Sequence, residues 1–321
     1  MSDGILEIKN LTAYYEIGSN PTRAVDNASL GIIRRGEIFG IAGESACGKT
    51  TLALAILRLL KPPGRIRGGE VIFDGANLLE IAEEEIRSIR WKRISYVPQS
   101  SMNALNPVMK IRDQISDSIE AHESRQSKDE LNNRIEKLLM NVGLSPEITG
   151  MYPHELSGGM KQRVAIAMAT ALDPEILIAD EPTTALDVIV QRGILQLLRE
   201  IRDRMHTILL ITHDMAAQAE ISDRVGIMYA GKIMEIGRTE NVFKDPFHPY
   251  TRLLISSIPR LKMRTELAWI TGLPPDLRHP PAGCRFHPRC PHFIAGVCDA
   301  EEPQLAEVQP SRFAACHLYG D

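Results

Sequence analysis

The stretch Gly43-Glu-Ser-Ala-Cys-Gly48-Lys49-Thr50 decides the fold class, because it follows an apolar run at residues 38–42 and precedes a helical pattern at residues 52–60. A short run that is apolar on both faces is typical of a buried strand. The spacing fits G-x-x-x-x-G-K-[ST], in which glycines let backbone N–H groups curl around a polyphosphate at the positive end of a helix. Lys49 would place its charge on the β- and γ-phosphates, and the Thr50 hydroxyl can ligate Mg²⁺. We therefore predict a phosphate loop, the name used below for residues 43–50.

Short strand patterns alternate with helical patterns along much of the chain. Further buried strands are predicted at residues 71–73, 94–97, 176–179 and 207–211. One apolar helix face is predicted by the spacing of Val190, Ile194, Leu197, Leu198 and Ile201. This alternation predicts an α/β fold with a mainly parallel sheet.

Two regions depart from the alternation. Residues of about 100 to 172 contain helical patterns without a convincing strand, which predicts an α-helical insertion. Beyond about residue 246 the chain is rich in Pro, His and Cys, and proline at that density excludes long helices and central strands. We expect a first domain at residues 1–245, with a helical subdomain at about 100–172, and a small C-terminal module at 246–321, called the Cys-rich tail below.

Charge and hydropathy exclude some functions. The 37 basic and 41 acidic residues give a net charge of −4, which is not the basic surface that nucleic-acid binding requires. The first ten residues include an acidic residue and lack the apolar core of a signal peptide, and no stretch reaches the ~20 apolar residues of a membrane span. We expect a soluble cytosolic protein that can serve a membrane only through a partner.

An acidic pair, Asp180 and Glu181, follows the predicted strand at residues 176–179. This position is the carboxyl edge of the sheet, where α/β folds bind their ligands. Asp180 would hold Mg²⁺ through water, and Glu181 would polarise the attacking water. By itself such a pair is often only the start of a loop; next to a phosphate loop it indicates hydrolysis.

The sequence Leu156-Ser157-Gly158-Gly159 precedes another helical pattern. A hydroxyl and two glycines at a helix N-terminus predict a second anion site. Taken alone, the same residues also fit an ordinary N-cap.

These motifs together resemble the ATP-binding subunits of ABC transporters, whose Leu-Ser-Gly-Gly signature also stands before an Asp-Glu strand. The resemblance implies that Gln99 contacts Mg²⁺ and the attacking water, that His213 contacts the γ-phosphate, and that Tyr15 stacks on adenine. The catalytic residues would be Glu181, His213 and Gln99, and the Mg²⁺ residues Thr50, Gln99 and Asp180. The implied ATP-binding residues are Tyr15, Gly43, Glu44, Ser45, Ala46, Cys47, Gly48, Lys49, Thr50, Thr51, Ser157, Gly158 and Gly159.

Two positions depart from the family pattern. Ala46 stands where the family usually has glycine, so a loop position that favours glycine carries a Cβ. Thr184 opens the segment Thr184-Ala-Leu-Asp187, where the family usually has serine. Neither change removes a catalytic group, so we predict a hydrolytically competent site.

The branch is indicated by residues 243–259, 101–107 and 281–291, which resemble the corresponding segments of dipeptide and oligopeptide importers. The resemblance implies a peripheral subunit at the cytoplasmic face of the cell membrane. Its partners would be two permease subunits, a second homologous ATPase and, indirectly, an extracytoplasmic solute-binding protein. Di- or oligopeptides are the expected solutes; oligosaccharide or nickel transport and a regulatory, non-transport ATPase are the alternatives.

Four cysteines, Cys284, Cys290, Cys298 and Cys316, lie in the Cys-rich tail with spacing C-x5-C-x7-C-x17-C. Thiols grouped in this way indicate a soft-metal site, although the paired knuckles usual for zinc are missing. The importer resemblance implies a [4Fe–4S] cluster on these residues, with Zn²⁺ or free structural thiols as alternatives. His287, His292 and His317 are alternative ligands, but we expect them to be structural or to lie around the ligands instead, and Cys47 is not expected to take part.

Overall fold

Two compact units make up the chain in the computed structural model, which describes residues 4–99, 104–124, 126–204, 206–257 and 270–319. The first unit contains the residues up to 81 and those from 210 onward, and the second unit contains residues 82–209. The phosphate loop and the Cys-rich tail therefore lie in the same unit. Residues 101–103, part of one importer-like segment of the sequence, fall outside the described residues.

The strands are short and are distributed along the whole chain. In order they are β1 (Gly4–Tyr15), β2 (Thr22–Ala28), β3 (Gly31–Arg34), β4 (Ile38–Ala42), β5 (Gly64–Phe73), β6 (Ala76–Asn77), β7 (Ile94–Val97), β8 (Ile176–Asp180), β9 (Thr207–Ile211), β10 (Arg224–Tyr229), β11 (Lys232–Arg238), β12 (Ala306–Gln309) and β13 (Arg312–Ala314).

The helices lie between these strands. They are α1 (Lys49–Ile56), α2 (Glu83–Ile89), α3 (Ile111–Glu120), α4 (Lys128–Asn141), α5 (Gly158–Ala169), α6 (Val188–Asp203), α7 (Met215–Ile221), α8 (Thr239–Lys244) and α9 (Pro249–Ser256), with 3-10 helices at Pro146–Gly150, Pro153–Glu155 and His287–Arg289. None of the helices that the described residues form is long and apolar enough to cross a bilayer.

An antiparallel sheet opens the first unit. Its strand order is β2-β1-β5-β6, with β3 paired to β1 on the other part of that strand. The predicted strand at residues 71–73 belongs here, paired antiparallel with β1, so its expected place in a parallel sheet was wrong. Residues 71–73 are buried, intermediate and buried in turn, the alternation of a strand with only one covered face.

The mixed sheet of the first unit carries the phosphate loop. It runs β12-β13-β11-β10-β4, and β10 pairs with β4 in parallel. All five residues of β4 are buried, as expected from its apolar sequence. The loop starts at the carboxyl end of β4, and α1 begins at Lys49, three residues before the predicted start.

The second unit carries the acidic pair and the signature segment. Here β7 and β8 pair in parallel, with Val97 opposite Ala179. Between residues 104 and 172, the described residues form helices α3 to α5 and two 3-10 helices and no strand. Of the five residues predicted to form the apolar face of α6, Ile194, Leu197, Leu198 and Ile201 are buried, and Val190 is half-buried.

The Cys-rich tail packs into the core of the first unit. Tyr250 and Phe286 are fully buried, and their ring centroids lie 4.6 and 5.2 Å from that of Tyr229 on β10. The short strand β13 also pairs with β11. The tail is therefore in contact with the strand whose end borders the phosphate loop.

Candidate functional site

Two glycines of the phosphate loop are required by their surroundings. Gly43 and Gly48 have φ angles of 153° and 109°. A Cβ on Gly43 would lie 2.0 Å from the Met228 carbonyl oxygen, and one on Gly48 would lie 1.9 Å from the Ala24 carbonyl oxygen. Since both obstacles are backbone atoms, a larger residue at either position must displace the main chain. The glycine spacing read from the sequence thus has a steric cause.

Lys49 is held inside the phosphate loop. Its side chain is buried, and Nζ donates to the carbonyl oxygens of Gly43 at 2.8 Å and Glu44 at 3.0 Å. Nζ also lies 3.8 Å from the Sγ of Cys47, a buried thiol whose pKa is raised by its burial. The ammonium group is therefore already surrounded by the loop that would wrap the phosphates, which is the position expected for Lys49. Thr50, the predicted Mg²⁺ ligand, is half-buried on the first turn of α1.

The backbone at Ala46 is left-handed, with φ of 63°. For a residue with a Cβ this conformation costs about 1 kcal/mol or more. The sequence singled out Ala46 as the position where the family usually has glycine, and the structure gives the physical reason for that preference. Ser45 and Ala46 are exposed at the outer side of the loop.

Tyr15 and Thr51, both predicted to contact the nucleotide, are brought together in the first unit. The Tyr15 hydroxyl lies 3.3 Å from Oγ1 of Thr51. The ring also limits the room at Gly64, since a Cβ there would lie 3.0 Å from the ring edge. The aromatic side chain at the end of β1 is thus anchored to the first turn of α1.

In the second unit, Asp180 is completely buried at the end of β8. Tyr96 on the neighbouring strand donates its hydroxyl proton to Oδ2 of Asp180 at 3.0 Å. Burial and the adjacent carboxylate raise the pKa of Tyr96 well above its usual value. No motif in the sequence points to this contact. It follows once β7 is paired in parallel with β8, because Tyr96 then stands opposite Ile178, which is two residues before Asp180.

Glu181 is fixed by the segment that follows it. Its backbone is left-handed, with φ of 50°, and its carboxylate Oε2 accepts a hydrogen bond from Oγ1 of Thr184 at 3.1 Å. Strained backbone of this kind concentrates at functional sites. The change from serine to Thr184 therefore retains the hydroxyl that orients Glu181.

The signature segment forms a capped helix start. Ser157 is the N-cap of α5, and its Oγ accepts from the backbone N–H of Met160 at 3.3 Å. Gly158 and Gly159 form the first turn, and a Cβ on Gly159 would lie 2.6 Å from the Val190 side chain. The geometry thus shows the N-cap, while Ser157 itself remains exposed.

Gln99 and His213 are exposed residues that follow strands. Gln99 lies two residues beyond the end of β7, and His213 two residues beyond the end of β9. The chain just before His213 is anchored by the Thr212 N–H, which donates to Ile41 O at 3.1 Å on β4. Immediately after it, Asp214 caps α7. His213 is therefore carried on a short, well-defined connection.

The four cysteines of the tail are close to one another. Burial, followed by the effects of Cys316, Cys298 and Cys290, raises the pKa of Cys284 to about 12. Burial and neighbouring thiols also raise the pKa of Cys316 to about 11. Within the described part of the chain, however, no three His, Cys, Asp or Glu side chains are arranged so that they can hold a metal ion. The geometry does not confirm the predicted cluster.

Two tail residues that the sequence did not single out contact the phosphate loop. Arg289 makes a bidentate ion pair with Glu44, at 2.9 and 3.1 Å. The hydroxyl of Tyr250 accepts a hydrogen bond from the Glu44 N–H at 2.9 Å. Both partners are more than two hundred residues away from Glu44, so no local pattern signals them.

Comparison with known proteins agrees with these features. A family model described as ABC transporter matches residues 25–184, and one described as oligopeptide/dipeptide transporter, C-terminal region, matches residues 234–298. The dipeptide transport ATP-binding protein DppD of Caldanaerobacter subterraneus subsp. tengcongensis is 44% identical over 318 residues, covering 98% of this chain and 97% of that protein. The oligopeptide transport ATP-binding protein OppD of Escherichia coli is 40% identical over 318 residues, covering 98% of this chain and 93% of that protein.

Solved structures support the same fold. The ATP-binding cassette MJ0796, in a dimeric post-hydrolysis state bound to ADP and Pi, has a TM-score of 0.66 and 30% identity, covering 73% of this chain and 99% of that one. The predicted fold class is confirmed by this likeness. Since relatives at 40% identity or more match almost from end to end, the chain belongs to the family of dipeptide and oligopeptide ABC transporter ATP-binding proteins and is an ABC-type ATPase.

Proposed function

We propose that this ATPase subunit hydrolyses ATP to drive the uptake of di- or oligopeptides through a membrane permease. The observation that carries the hydrolytic part is Glu181, an intact carboxylate that Thr184 fixes directly after the buried Asp180. The peptide part rests on the names of the relatives and on the match of the tail to the importer C-terminal region.

We assign the nucleotide to the phosphate loop. Lys49 would move its hydrogen bonds from the loop carbonyls to the β- and γ-phosphates, and Tyr15 would stack on adenine. Thr50 and Asp180 would hold Mg²⁺, Asp180 through water, together with Gln99. The metal, when bound, offsets phosphate charge, as in other nucleotide hydrolases.

We assign the reaction itself to Glu181 and His213. The Glu181 carboxylate would accept a hydrogen bond from the attacking water and orient it towards the γ-phosphate. His213 would donate to a γ-phosphate oxygen. Ser157, Gly158 and Gly159 would close over the nucleotide of a second subunit, because an exposed helix start offers N–H groups and a hydroxyl to an anion. Each chain would thus contribute half of two sites.

The substitution Glu181→Gln tests the chemical assignment. It keeps the size and the contact to Thr184 but removes the charge that activates water, so steady-state hydrolysis should fall at least about a hundredfold. ATP affinity should be retained, and the variant should accumulate as an ATP-bound dimer in gel filtration. Glu200→Gln, on the exposed side of α6, is the matched control and should hydrolyse ATP at the normal rate. Undiminished turnover by Glu181→Gln would remove Glu181 from the mechanism.

The transport function and the membrane location are tested by identifying the proteins that co-purify with this chain. We propose a complex at the cytoplasmic face of the membrane with two permease subunits, a second ATPase and, indirectly, a solute-binding protein. Tagged protein isolated from detergent-solubilised membranes should bring down both permeases and the other ATPase, and peptides should compete for uptake. Recovery without any membrane protein would favour a regulatory ATPase, and competition by oligosaccharide or nickel alone would change the solute.

We retain the [4Fe–4S] cluster of the tail as a proposal, with Zn²⁺ as the alternative. Besides burial, neighbouring thiols of this group raise the pKa of Cys284, Cys290 and Cys316, which supports their proximity, and thiols are the donors that a soft metal prefers. Cys284, Cys290, Cys298 and Cys316 would be the ligands, and the cluster would tie the tail together. Anaerobically purified protein should be brown and contain about four irons per chain. Colourless protein with one zinc would decide for the alternative, and metal-free protein would leave structural thiols.

A further inference from the structure

The Cys-rich tail contacts Glu44, the second residue of the phosphate loop. Arg289 donates from Nη1 to Glu44 Oε2 at 2.9 Å and from Nη2 to Oε1 at 3.1 Å. A bidentate guanidinium–carboxylate pair fixes orientation as well as distance. At this pair the side chains of Arg289 and Glu44 are 6% and 22% exposed, so water competes weakly for their hydrogen bonds.

Arg289 is itself held in place from several sides. Its Nε donates to the Thr271 carbonyl oxygen at 2.9 Å, and Nη1 also donates to the Tyr229 hydroxyl at 3.1 Å. The guanidinium carbon lies 5.7 Å from the centre of the Tyr229 ring, within the range of a cation–π contact. The arginine is therefore held in place before it reaches Glu44, and it donates to Glu44 with one further N–H of Nη1 and one N–H of Nη2.

Tyr250 holds the backbone of the same loop residue. Its hydroxyl accepts from the Glu44 N–H at 2.9 Å, and its ring packs against Tyr229 and Phe286 at centroid distances of 4.6 and 5.3 Å. Main chain and side chain of Glu44 are thus both fastened to the tail.

A third contact lies along the outer side of the loop. A narrow cavity there is lined by tail residues and loop residues together, among them Pro274, Pro275, Leu277, Glu44, Ala46 and Cys47. The tail backbone at this cavity is anchored by Leu277, whose carbonyl accepts from the Arg23 N–H at 3.0 Å. The loop segment that contains the left-handed Ala46 is therefore backed by the tail.

We propose that Arg289 and Tyr250 are positioning residues for the nucleotide. A phosphate loop binds through several N–H groups that must point inward together, so its affinity depends on the loop keeping one conformation; the Glu44 N–H is not among them, because it points to Tyr250. The hydrogen bond from the Glu44 N–H to Tyr250 and the ion pair of Arg289 with the Glu44 carboxylate, called the clamp below, fix the first residues of the loop in that conformation. In this protein the Cys-rich tail acts as a brace, meaning that it holds the phosphate loop in the conformation that binds ATP. This role is separate from metal binding by its thiols.

The test uses the purified full-length chain and a fluorescent ATP analogue. Arg289→Ala should bind the analogue about tenfold more weakly, the usual effect of losing a charge-assisted bidentate contact. The KM for ATP should rise by a similar factor, while kcat at saturating ATP should change less than about twofold, because the brace acts on ground state and transition state alike. Arg289→Lys keeps one of the two bonds to Glu44 and should recover part of the affinity. This measurement tests the proposal even if Arg289→Ala is unstable.

A matched control separates positioning from simple stability. Arg312 is another buried arginine of the tail; it lies 3.7 Å above the Phe247 ring and 3.8 Å from Glu235, away from the loop. Arg312→Ala should lower the melting temperature and leave the affinity for the analogue unchanged. Equal losses of affinity in Arg312→Ala and Arg289→Ala would overturn the proposal, as would wild-type affinity in Arg289→Ala.

A double variant tests whether Arg289 acts through Glu44. In the Glu44→Ala background the clamp is already open, so adding Arg289→Ala should cause no further loss of affinity. A further tenfold loss would mean that Arg289 acts by another route and would overturn the proposal. Tyr250→Phe, which keeps the ring and removes only the acceptor, should weaken binding about threefold.

Discussion

The phosphate loop and the Cys-rich tail both belong to the first unit, but their candidate binding groups are held in different ways. The loop is shaped by its backbone, with Gly43 and Gly48 pressed against neighbouring carbonyls and Lys49 already inside it. The tail offers side-chain thiols, and burial raises the pKa of Cys284 and Cys316 among them. A loop built from backbone has its shape before a ligand arrives, whereas the metal site that we propose for the tail would form only as the metal displaces the thiol protons.

The largest effect is expected from a substitution that disturbs the backbone of the phosphate loop. In Gly48→Ala, the new Cβ would lie 1.9 Å from the Ala24 carbonyl oxygen. The main chain must then shift, so binding of the ATP analogue should fall more than about a hundredfold, with a loss of about 2–4 kcal/mol in the free energy of unfolding. Titration and urea unfolding measure the two effects.

Gly75→Ala is the matched control for backbone strain. Gly75 also has a positive φ, of 86°, but a Cβ there meets no atom within 4 Å. This variant should lose about 1 kcal/mol from strain alone and bind the analogue normally. Similar losses of affinity in both variants would show that steric contact with Ala24 is not what shapes the loop.

A smaller effect concerns how the tail is anchored. His248 is completely buried, it accepts a hydrogen bond from the Tyr250 N–H at 3.0 Å, and burial lowers its pKa from 6.5 to about 3. Because the unfolded chain takes up a proton below pH 6.5 and the folded chain does not, stability falls as the pH drops from 6.5 towards 3. His248→Asn keeps an acceptor for the N–H but cannot titrate.

Urea unfolding at pH 7 and 5.5 measures this contribution. Between these two pH values the wild type should lose about 1 kcal/mol more stability than His248→Asn. His279→Asn is the control, since the His279 side chain is 66% exposed, and it should lose as much stability as the wild type. Parallel pH dependences of wild type and His248→Asn would mean that His248 is not buried in its neutral form.

The smallest expected effect sharpens the comparison at Ala46. Ala46→Gly removes the Cβ from a residue with φ of 63° and so relieves strain, but glycine also gives the unfolded chain more freedom. These terms oppose each other, so the free energy of unfolding should change by less than about 1 kcal/mol. Affinity for the ATP analogue should stay equal or rise slightly. A marked loss of affinity would show that the alanine side chain itself contributes to binding.

The strands that the sequence predicts well are those buried on both faces. β4, β8 and β9 are buried at every residue and consist mostly of apolar residues, so they stand out without any knowledge of their neighbours. The antiparallel sheet was largely missed because β1 does not keep a period of two. Its pairing with β2 and β5 shifts register at several irregularities, and each shift changes which side chains face the core.

The candidate site also contains features that the local sequence predicts and features that depend on distant parts of the chain. The phosphate loop, the acidic pair and the capped signature helix are patterns of neighbours in sequence. Tyr96 beside Asp180 is one step further, since it follows once β7 is paired with β8. Arg289 and Tyr250 follow from no pattern, because nothing near Glu44 indicates which distant side chains will reach it.

The sequence by itself determined the chemistry available for ATP: which glycines allow the loop, which lysine enters it and which carboxylates follow the strand, because these depend on backbone conformation and on near neighbours. Only the tertiary structure decided that the Cys-rich tail packs against Tyr229 through Phe286 and forms an ion pair with Glu44 through Arg289. That contact requires the chain to return to the loop after more than two hundred residues, and the cause is burial of the Tyr229, Tyr250 and Phe286 rings in one core.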